Sequence, residues 1–296
     1  MMNQDYEKSF SRNIGVVTKK EQEKIKNTTV AIAGLGGIGG VTVSILARMG
    51  VGHFKIADID TFDIQNINRQ AASSHSVLGR NKVDVIHEMI KDINPSATIE
   101  LFDEGVQADN VDSFLQGVDI VIDAIDYFCF TARDVLQSAC DEHGIPVMFS
   151  APLGLTATFL FFTPESMSYN EYFDLNATQD KFDKLIRFTV GIAPSALHLK
   201  YMKFEPKRLI QIETGPSLAP SVHLGGSILA VEMLKYITGK KNVIMAPHYL
   251  QIDLYKNKIV KKRLHLGNRN PKQQVKRLLA QKLYGKYKSE FLSFIK

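Results

Sequence analysis

Short apolar runs in this chain alternate with longer stretches whose apolar residues recur at helical spacing. Residues 29–58 predict a strand, a glycine turn, an apolar helix and a second strand, in that order. Helices are predicted near 79–95 and 131–144, and further strands at 97–102, 118–126, 145–151 and 156–162. Strands that alternate with helices build a sheet whose two faces are both covered. The pattern therefore predicts an α/β fold with a Rossmann-like, doubly wound and mostly parallel sheet.

The alternation of strands and helices stops after residue 162. The stretch 163–193 is polar and rich in acidic residues, and we interpret it as a crossover segment over the edge of the sheet. Beyond it the pattern predicts a helix at 219–240, a hairpin at 249–264 that turns at Lys256-Asn257, and a last helix from Asn270 onward. These elements predict a mixed C-terminal extension of the sheet.

The composition is that of a globular domain. The 296 residues are 45% hydrophobic and 23% charged. No apolar run reaches the roughly 18 residues of a transmembrane helix, and residues 1–13 lack the apolar core of a secretory signal. Two cysteines, Cys129 and Cys140, exclude a disulfide framework. We expect a cytoplasmic protein with no membrane partner.

Positive charge is concentrated at the C-terminal end of the chain. The net charge is +5, and the segment 255–296 contains thirteen Lys and Arg residues against one acid, Glu290. Such a segment is typical of proteins that bind nucleic acid or an acidic partner, and equally of a solvated basic helix. Both interpretations stay open at this point.

A glycine-rich turn, "GLGGIGG", runs from Gly34 to Gly40 between the first strand and its helix. Gly34, Gly36 and Gly39 have the GxGxxG spacing that lets a backbone approach phosphate at the positive end of a helix. Asp58 ends the second strand nineteen residues after Gly39, where an acid usually binds a ribose hydroxyl. These residues predict a nucleotide site, but they suit NAD as well as ATP.

Further polar residues favour a triphosphate over a dinucleotide. Arg69 offers a planar fork for phosphate oxygens, Lys82 offers a compact charge in the first turn of its helix, and Asn66 can bond phosphate or a carboxylate. Asp126 follows an apolar strand, where a carboxylate can hold Mg²⁺ against phosphates. Asp123, three residues earlier, is the alternative with a structural role.

Taken together, these motifs resemble the ThiF/MoeB/ubiquitin-activating-enzyme family, and locally its tRNA threonylcarbamoyladenosine dehydratase branch. The resemblance rests on GxGGxG, DxD at Asp58, NxxRQ at Asn66, GxxK ending at Lys82, and DAxD ending at Asp126. It covers about residues 10–162 and returns over the late helix. It divides the chain into an N-terminal arm and helix at 1–28, a ThiF-type adenylation domain at 29–268 and a basic C-terminal helix at 269–296.

The resemblance implies that the protein adenylates a carboxylate with ATP and Mg²⁺ and releases pyrophosphate. Asp58 would bind the ribose, Arg69 and Lys82 the phosphates, Asn66 would lie beside the α-phosphate, and Asp126 would hold Mg²⁺. The remaining nucleotide-binding positions implied by the family are Gly34, Gly36, Gly37, Gly39, Asp60 and Gln70. Arg12 matches a family arginine that reaches into the partner's site, which implies a homodimer.

Two family features are missing from this sequence. There is no CxxC pair, so no structural zinc is expected, and the crossover 163–193 contains no cysteine. Cys129 and Cys140 fit packing better than catalysis. The chemistry should therefore end at the adenylate, or another molecule captures it. The substrate carboxylate is either a threonylcarbamoyl group on tRNA or the C-terminus of a small carrier protein or peptide. The rival classes are an NAD-dependent oxidoreductase and a nucleotide-binding partner protein without turnover.

Overall fold

The computed structural model describes residues 2–202 and 216–295. Its central element is one mixed β-sheet. Its strand order is β3-β2-β1-β4-β5-β6-β7-β8. Neighbours from β3 to β5 are parallel, and those from β5 to β8 are antiparallel. The α/β fold with a mixed C-terminal extension is thus confirmed. The strands are β1 Thr29–Ala33, β2 His53–Ala57, β3 Thr98–Phe102, β4 Ile120–Asp123, β5 Val147–Leu153, β6 Thr156–Phe162, β7 His248–Asp253 and β8 Lys258–Arg263.

Helices cover both faces of the sheet. None of the helices in the described ranges is both long enough and apolar enough to cross a membrane. They are α1 Met2–Ser9, α2 Lys19–Lys26, α3 Gly37–Met49, α4 Lys82–Ile93, α5 Val111–Leu115, α6 Phe130–His143, α7 Tyr169–Phe173, α8 Lys181–Gly191, α9 Ala219–Ile237, α10 Pro271–Tyr284 and α11 Lys288–Phe294.

Strand β6 shows how the two faces are built. Its side chains alternate between them, because successive residues of a strand point to opposite sides. Phe159 and Phe161 belong to the core formed with α3, α4 and α9. Leu160 and Phe162 belong to the core formed with α7, α8 and the C-terminal helices. All four are buried, so the antiparallel part of the sheet is covered on both sides, as the parallel part is.

The segment 163–193 differs from the polar crossover expected from its acidic residues. It forms α7 and α8, and these helices bury Tyr172, Phe173 and Phe188. Asp180 caps α8 by accepting the backbone N–H groups of Phe182 and Asp183. The aromatic residues at helical spacing therefore decide the structure here, because their burial outweighs the polar average of the segment.

The C-terminal segment also differs from the prediction, since two helices replace the single basic helix. Asn270 caps α10 by accepting the N–H of Lys272, and a short turn separates α10 from α11. Arg277 pairs with Asp183 at 3.4 Å, and Lys288 pairs with Asp180 at 2.5 Å. Acids of the α8 region thus neutralise part of the basic charge of this segment.

Candidate functional site

The predicted site residues follow strands that are neighbours in the sheet. Strand β1 lies between β2 and β4, and all three run parallel. Gly34 follows β1, Asp58 follows β2, and Asp126 lies in the loop after β4. Because parallel strands end at the same edge, these residues meet at the carboxyl edge of the sheet. This edge is where open α/β sheets bind ligands.

The glycines of the turn serve two purposes, close packing of the backbone and open space at the start of α3. Gly34 has a φ of +92°, and a Cβ there would lie 2.3 Å from the backbone oxygen of Ala124. A Cβ on Gly39 would lie 1.8 Å from the oxygen of Gly34. These two glycines are therefore required for packing between the turn, α3 and the chain after β4. At Gly36 an added Cβ would meet only the side chain of Gln70, at 3.5 Å, so this glycine leaves space at the start of α3.

The first backbone N–H groups of α3 have no acceptor oxygen within the helix. Gly36 is the N-cap and offers no side chain, and the first turn contains no acid. The first hydrogen bond within the helix is from the N–H of Gly40 to the oxygen of Gly36. The preceding N–H groups and the helix dipole attract an anion. The predicted phosphate position therefore has the required electrostatics. Gly37, also predicted to bind the nucleotide, is the first residue of α3, and a Cβ there would lie 3.2 Å from Val222 of α9.

Lys82 links two acids at the edge of the sheet. Its Nζ donates to Asp60 Oδ2 at 2.7 Å and lies 3.7 Å from Asp58 Oδ1. Asp58 also accepts the N–H groups of Leu35 and Asp60, at 2.6 and 2.8 Å. Burial raises the pKa of Asp58, and the charge of Lys82 opposes that shift. The ammonium group has three N–H donors, so Lys82 can hold Asp60 and still donate to a ligand.

Asn66 organises the loop that carries Arg69 and Gln70. Its Oδ1 accepts the N–H of Asp63, at 2.9 Å, and its backbone oxygen accepts the N–H groups of Arg69 and Gln70. The Asn66 amide nitrogen has no hydrogen-bond partner in the ranges that the structure describes. Asn66 is thus first a loop-forming residue, and its amide N–H groups remain for a ligand.

Arg69 and Asp126 lie within electrostatic reach of each other at the mouth of the site. Burial lowers the pKa of the Arg69 guanidinium, and the negative charge of Asp126 opposes that shift. Arg69 Nη1 donates to the oxygen of Gln65 and to Asn68 Oδ1, both at 3.0 Å. Asp126 is exposed, and its Oδ1 accepts the N–H of Phe128 at 3.1 Å. A cation and a carboxylate therefore lie near each other at this edge of the sheet.

The donor set suits Mg²⁺ only as one protein ligand beside phosphates. Across the described part of the chain, no three His, Cys, Asp or Glu side chains come together as a metal cluster. Mg²⁺ commonly takes one or two carboxylates and completes its shell with phosphate oxygens and water. Asp126 matches that pattern because its carboxylate is exposed and accepts a single hydrogen bond, from the N–H of Phe128, within the described ranges.

Gln70 carries a buried polar atom that the described protein residues leave unpaired. Its Oε1 has no hydrogen-bond partner among them, and the residue is 6% exposed. Ser73 Oγ nearby in the chain is in the same condition. Buried polar atoms are rarely left unsatisfied, so a bound molecule or an ordered water is needed here. Because Gln70 faces Gly36, this acceptor fits a ligand at the start of α3.

Asp123 proves to be structural, and its partner was not predicted. It is fully buried and accepts hydrogen bonds from Arg133 Nε, from Gln137 Nε2 and from the N–H of Ile125, at 3.0, 3.0 and 3.2 Å. Arg133 also donates to the oxygen of Ile125, just before Asp126. A sequence signal existed, because Arg133 lies on the same helical face as Leu136 and Cys140, both buried in α6.

Cys140 does not have the surroundings of a reactive thiolate. Burial raises the pKa of the Cys140 thiol, with the charge of Asp123 acting in the same direction. Cys140 therefore stays protonated and inert. Cys129 is half-buried at the N-cap position of α6.

Arg12 does not join the other predicted residues within its own chain. It is exposed in a short turn, Ser11–Asn13, and Asn13 Nδ2 donates to the oxygen of Met49 at 3.1 Å. Met49 is the last residue of α3, whereas the site lies at its first turn. A helix of this length spans about 20 Å at 1.5 Å per residue. Arg12 is therefore at the far end of α3 from the candidate site.

Comparison with known proteins agrees with the fold and the motifs. Over 142 residues the chain is 37% identical to tRNA threonylcarbamoyladenosine dehydratase of Bacillus subtilis, covering 48% of this chain and 55% of that protein. It is 30% identical to molybdopterin-synthase adenylyltransferase of Salmonella typhimurium over 142 residues, covering 48% of this chain and 56% of the other. The chain thus spans about half the length of the curated relatives it matches.

Solved structures share the architecture at low sequence identity. A crystal structure of E. coli MccB with AMPCPP and MccA superposes with a TM-score of 0.66 at 20% identity, covering 88% of this chain and 71% of that one. PaaA superposes with a TM-score of 0.62 at 19% identity, covering 89% and 72%. The profile that describes the ThiF family matches residues 10–275. That match covers most of the chain, confirms the resemblance carried by the motifs, and shows that this protein belongs to the ThiF family.

Proposed function

We propose that this protein is an ATP-dependent adenylyltransferase that activates a carboxylate as an acyl-adenylate. The observation that carries the proposal is the arrangement of charge around the first turn of α3. The unpaired N–H groups of that turn, the cations Arg69 and Lys82, and the carboxylate of Asp126 lie at one edge of the sheet. The negative phosphates of a nucleoside triphosphate complement the N–H groups and the cations. The positive charge of Mg²⁺ complements the carboxylate.

The same arrangement suggests how ATP is held. The phosphates would lie against the N–H groups of α3, with Arg69 and Lys82 as additional donors. Asp58 already accepts two backbone N–H groups, and its remaining lone pairs would accept a ribose hydroxyl. Gln70 Oε1 would receive its missing hydrogen bond from the nucleotide. When bound, Mg²⁺ would be held by Asp126 and would neutralise charge on the phosphates.

The proposed reaction needs positioning and charge rather than a side-chain base. A carboxylate oxygen of the substrate attacks the α-phosphorus of ATP. The bond from that phosphorus to the bridging oxygen breaks, and pyrophosphate leaves with the electron pair. The attacking carboxylate is ionised at neutral pH, so no proton has to be removed. Arg69 and Lys82 would stabilise the growing negative charge, and the free donor of Asn66 would orient the substrate.

The two rival hypotheses, an oxidoreductase and a binding protein without turnover, explain fewer of the site residues. The hypothesis of an NAD-dependent oxidoreductase explains the glycine turn and Asp58. It does not explain Arg69, Lys82 and Asp126. A nucleotide-binding partner protein without turnover would not need an outward-facing carboxylate beside Arg69. We also propose a homodimer in the cytoplasm, without structural zinc.

The tRNA threonylcarbamoyladenosine dehydratase reaction is the second candidate. A relative with that name is 37% identical over about half the chain. Its adenylate would be displaced within the substrate, so it needs no enzyme thiol, which agrees with the inert Cys140. The C-terminus of a small carrier protein or peptide is the other substrate class. The pairing of Arg277 and Lys288 with acids lowers the support that the basic segment lends to tRNA.

ATP–pyrophosphate exchange tests the proposal directly. Purified protein, ATP and Mg²⁺ are incubated with labelled pyrophosphate and a panel of threonylcarbamoylated tRNA, carrier-protein tails and peptides. We expect label in ATP only with a matching free carboxylate, and none with the corresponding carboxamide. If ATP binds but no substrate of the panel supports pyrophosphate exchange, the hypothesis of a nucleotide-binding protein without turnover would be supported. Tight binding of NAD in place of ATP would support the oxidoreductase.

A further inference from the structure

Helix α10 turns an apolar face to solvent. Val275, Leu278, Leu279 and Leu283 are 57%, 59%, 63% and 51% exposed. Val275, Leu279 and Leu283 follow each other at intervals of four, and Leu278 lies beside them, so all four share one side of the helix. We call these four residues the α10 face.

The opposite side of α10 is mostly polar and faces the protein, with Ala280 and Tyr284 packed against the aromatic core. Gln273 is 1% exposed, and its Nε2 donates to the oxygen of Val190 at 2.9 Å. Gln281 Nε2 donates to Asp183 Oδ1 at 2.7 Å, and Arg277 pairs with the same carboxylate. A surface helix normally buries its apolar stripe and exposes its polar one. In α10 the larger apolar stripe is the exposed one, so the described part of the chain leaves the α10 face uncovered, while polar contacts together with Ala280 and Tyr284 hold the other side in place.

The charges on the exposed side are all positive. Lys272 precedes Val275 by three residues and Leu279 by seven, and Lys282 follows Leu278 by four, so both lysines lie among the apolar residues. Neither ammonium group has a hydrogen-bond or ion-pair partner within the described ranges, in contrast to Arg277 and Lys288. Helix α10 itself contains no Asp or Glu.

We propose that the α10 face docks an acidic partner protein, which inserts apolar side chains between carboxylates that pair with Lys272 and Lys282. A second copy of this chain does not fit. Two α10 faces in contact would place lysines in one apolar interface with no carboxylate from α10 to pair them. A membrane fits less well, since membrane-surface helices keep their cations on the polar side, and here that side is fixed to α8.

The proposal concerns binding and stands independently of the adenylation reaction. Its chemistry predicts two separable contributions: burial of the apolar residues, and pairing of the lysines with carboxylates in a partly dry interface. Both can be changed at exposed positions, where substitutions leave the fold intact.

Two labelled helical peptides of about twenty residues test the surface on the full-length protein. Each has a leucine face, flanked by glutamates in one peptide and by lysines in the other. By fluorescence anisotropy we expect the acidic peptide to bind and the basic one not to. The double substitution Leu278→Gln with Leu279→Gln should weaken the acidic peptide about tenfold or more. Val231→Gln, at a 53% exposed position of α9, is the matched control and should leave affinity unchanged.

Reversing the charge of the two lysines tests the electrostatic part of the proposal separately. Lys272→Glu combined with Lys282→Glu should abolish binding of the acidic peptide and create binding of the basic one, with an unchanged thermal midpoint. Equal binding of both peptides, or binding that ignores the leucine substitutions, would overturn the proposal. So would leucine-dependent binding to anionic phosphatidylserine vesicles without peptide binding. A dimer in sedimentation velocity that dissociates in the Leu278→Gln, Leu279→Gln variant would instead assign the face to a second copy.

Discussion

Arg133 and Asp123 form an ion pair that is almost completely enclosed beneath the loop that carries Asp126. The Nε–Oδ2 distance is 3.0 Å, and the two side chains are 1% and 0% exposed. The guanidinium also donates to the oxygen of Ile125 and lies 4.9 Å from the centre of the Phe188 ring. One buried cation therefore ties the end of β4 to α6 and to the aromatic core around α8.

Replacement of Arg133 should damage stability before it affects chemistry. Arg133→Leu leaves Asp123 charged and buried, and removal of one partner of such a pair costs about 3–5 kcal/mol. Urea unfolding followed by circular dichroism measures this loss. The exposed pair Arg80–Glu88, 2.6 Å apart, is the control, and Arg80→Gln should leave the urea midpoint unchanged. A fully stable Arg133→Leu protein would show that Asp123 has another source of compensation.

Asp126→Asn should remove activity and spare the fold. The amide keeps an oxygen for the N–H of Phe128 but loses the charge proposed to hold Mg²⁺. We expect pyrophosphate exchange to fall about 100-fold or more, a typical effect of losing one charge-stabilising group. The thermal midpoint should stay where it is.

The same substitution at Asp123 is the matched comparison for Asp126. Asp123→Asn leaves Arg133 without its charge partner and should lower the thermal midpoint. If both variants lose stability alike, or if Asp126→Asn keeps full exchange activity, then the division into a structural and a functional aspartate does not hold.

His198 should make the protein less stable in mild acid. Burial lowers the pKa of His198 from 6.5 to about 4, with Asp253 opposing and Lys256 reinforcing the shift. The unfolded chain therefore takes up a proton below about pH 6.5, while the folded chain resists it until about pH 4. Stability from this group is complete above the unfolded pKa and declines as the pH falls through that window, by at most roughly 3 kcal/mol.

The variant His198→Phe isolates this contribution, because it keeps a ring of similar shape and cannot take up a proton. Urea unfolding between about pH 7 and about pH 4.5 should give a shallower decline in the variant than in the parent protein. An unchanged slope would assign the acid sensitivity to other groups. An NMR titration of the His198 ring should show the neutral form down to about pH 5.

Arg12 should act in the site of the other subunit. It lies at the C-terminal end of α3 in its own chain and has no ion pair there among the described residues. If the working unit is a two-fold dimer, Arg12→Ala and Asp126→Asn should each be inactive alone. A mixture should recover part of the activity, because a heterodimer contains one site with both residues intact.

Subunit exchange has to be shown for that mixture, by native mass spectrometry, before its activity is interpreted. Exchange without any recovered activity would place Arg12 in a role within its own chain. A monomer with full activity in dilute solution would exclude the action between subunits altogether.

Local pattern was sufficient for the parallel core and for bringing most of the candidate site residues to one edge of the sheet. Strand ends, the glycine turn and the first turn of α4 are set by residues close together in sequence, so their chemistry could be placed without long-range contacts. Asp58, Arg69, Gln70 and Lys82 lie at or near the carboxyl edge of the sheet, and their roles toward a nucleotide stay predictions. Family membership followed from the same residues.

Tertiary structure decided what local pattern leaves open, namely which partner each side chain meets. Asp123 and Asp126 have similar sequence surroundings, but α6 brings Arg133 and Gln137 to the first and leaves the second exposed. The aromatic residues of 163–193 became core only because the antiparallel strands offered an apolar face. The apolar stripe of α10 points outward because the other side of the helix bonds Asp183 and the oxygen of Val190 and packs Ala280 and Tyr284 on the aromatic core. In each case the decisive free energy comes from contacts between different secondary-structure elements, and these contacts exist only once the chain has folded.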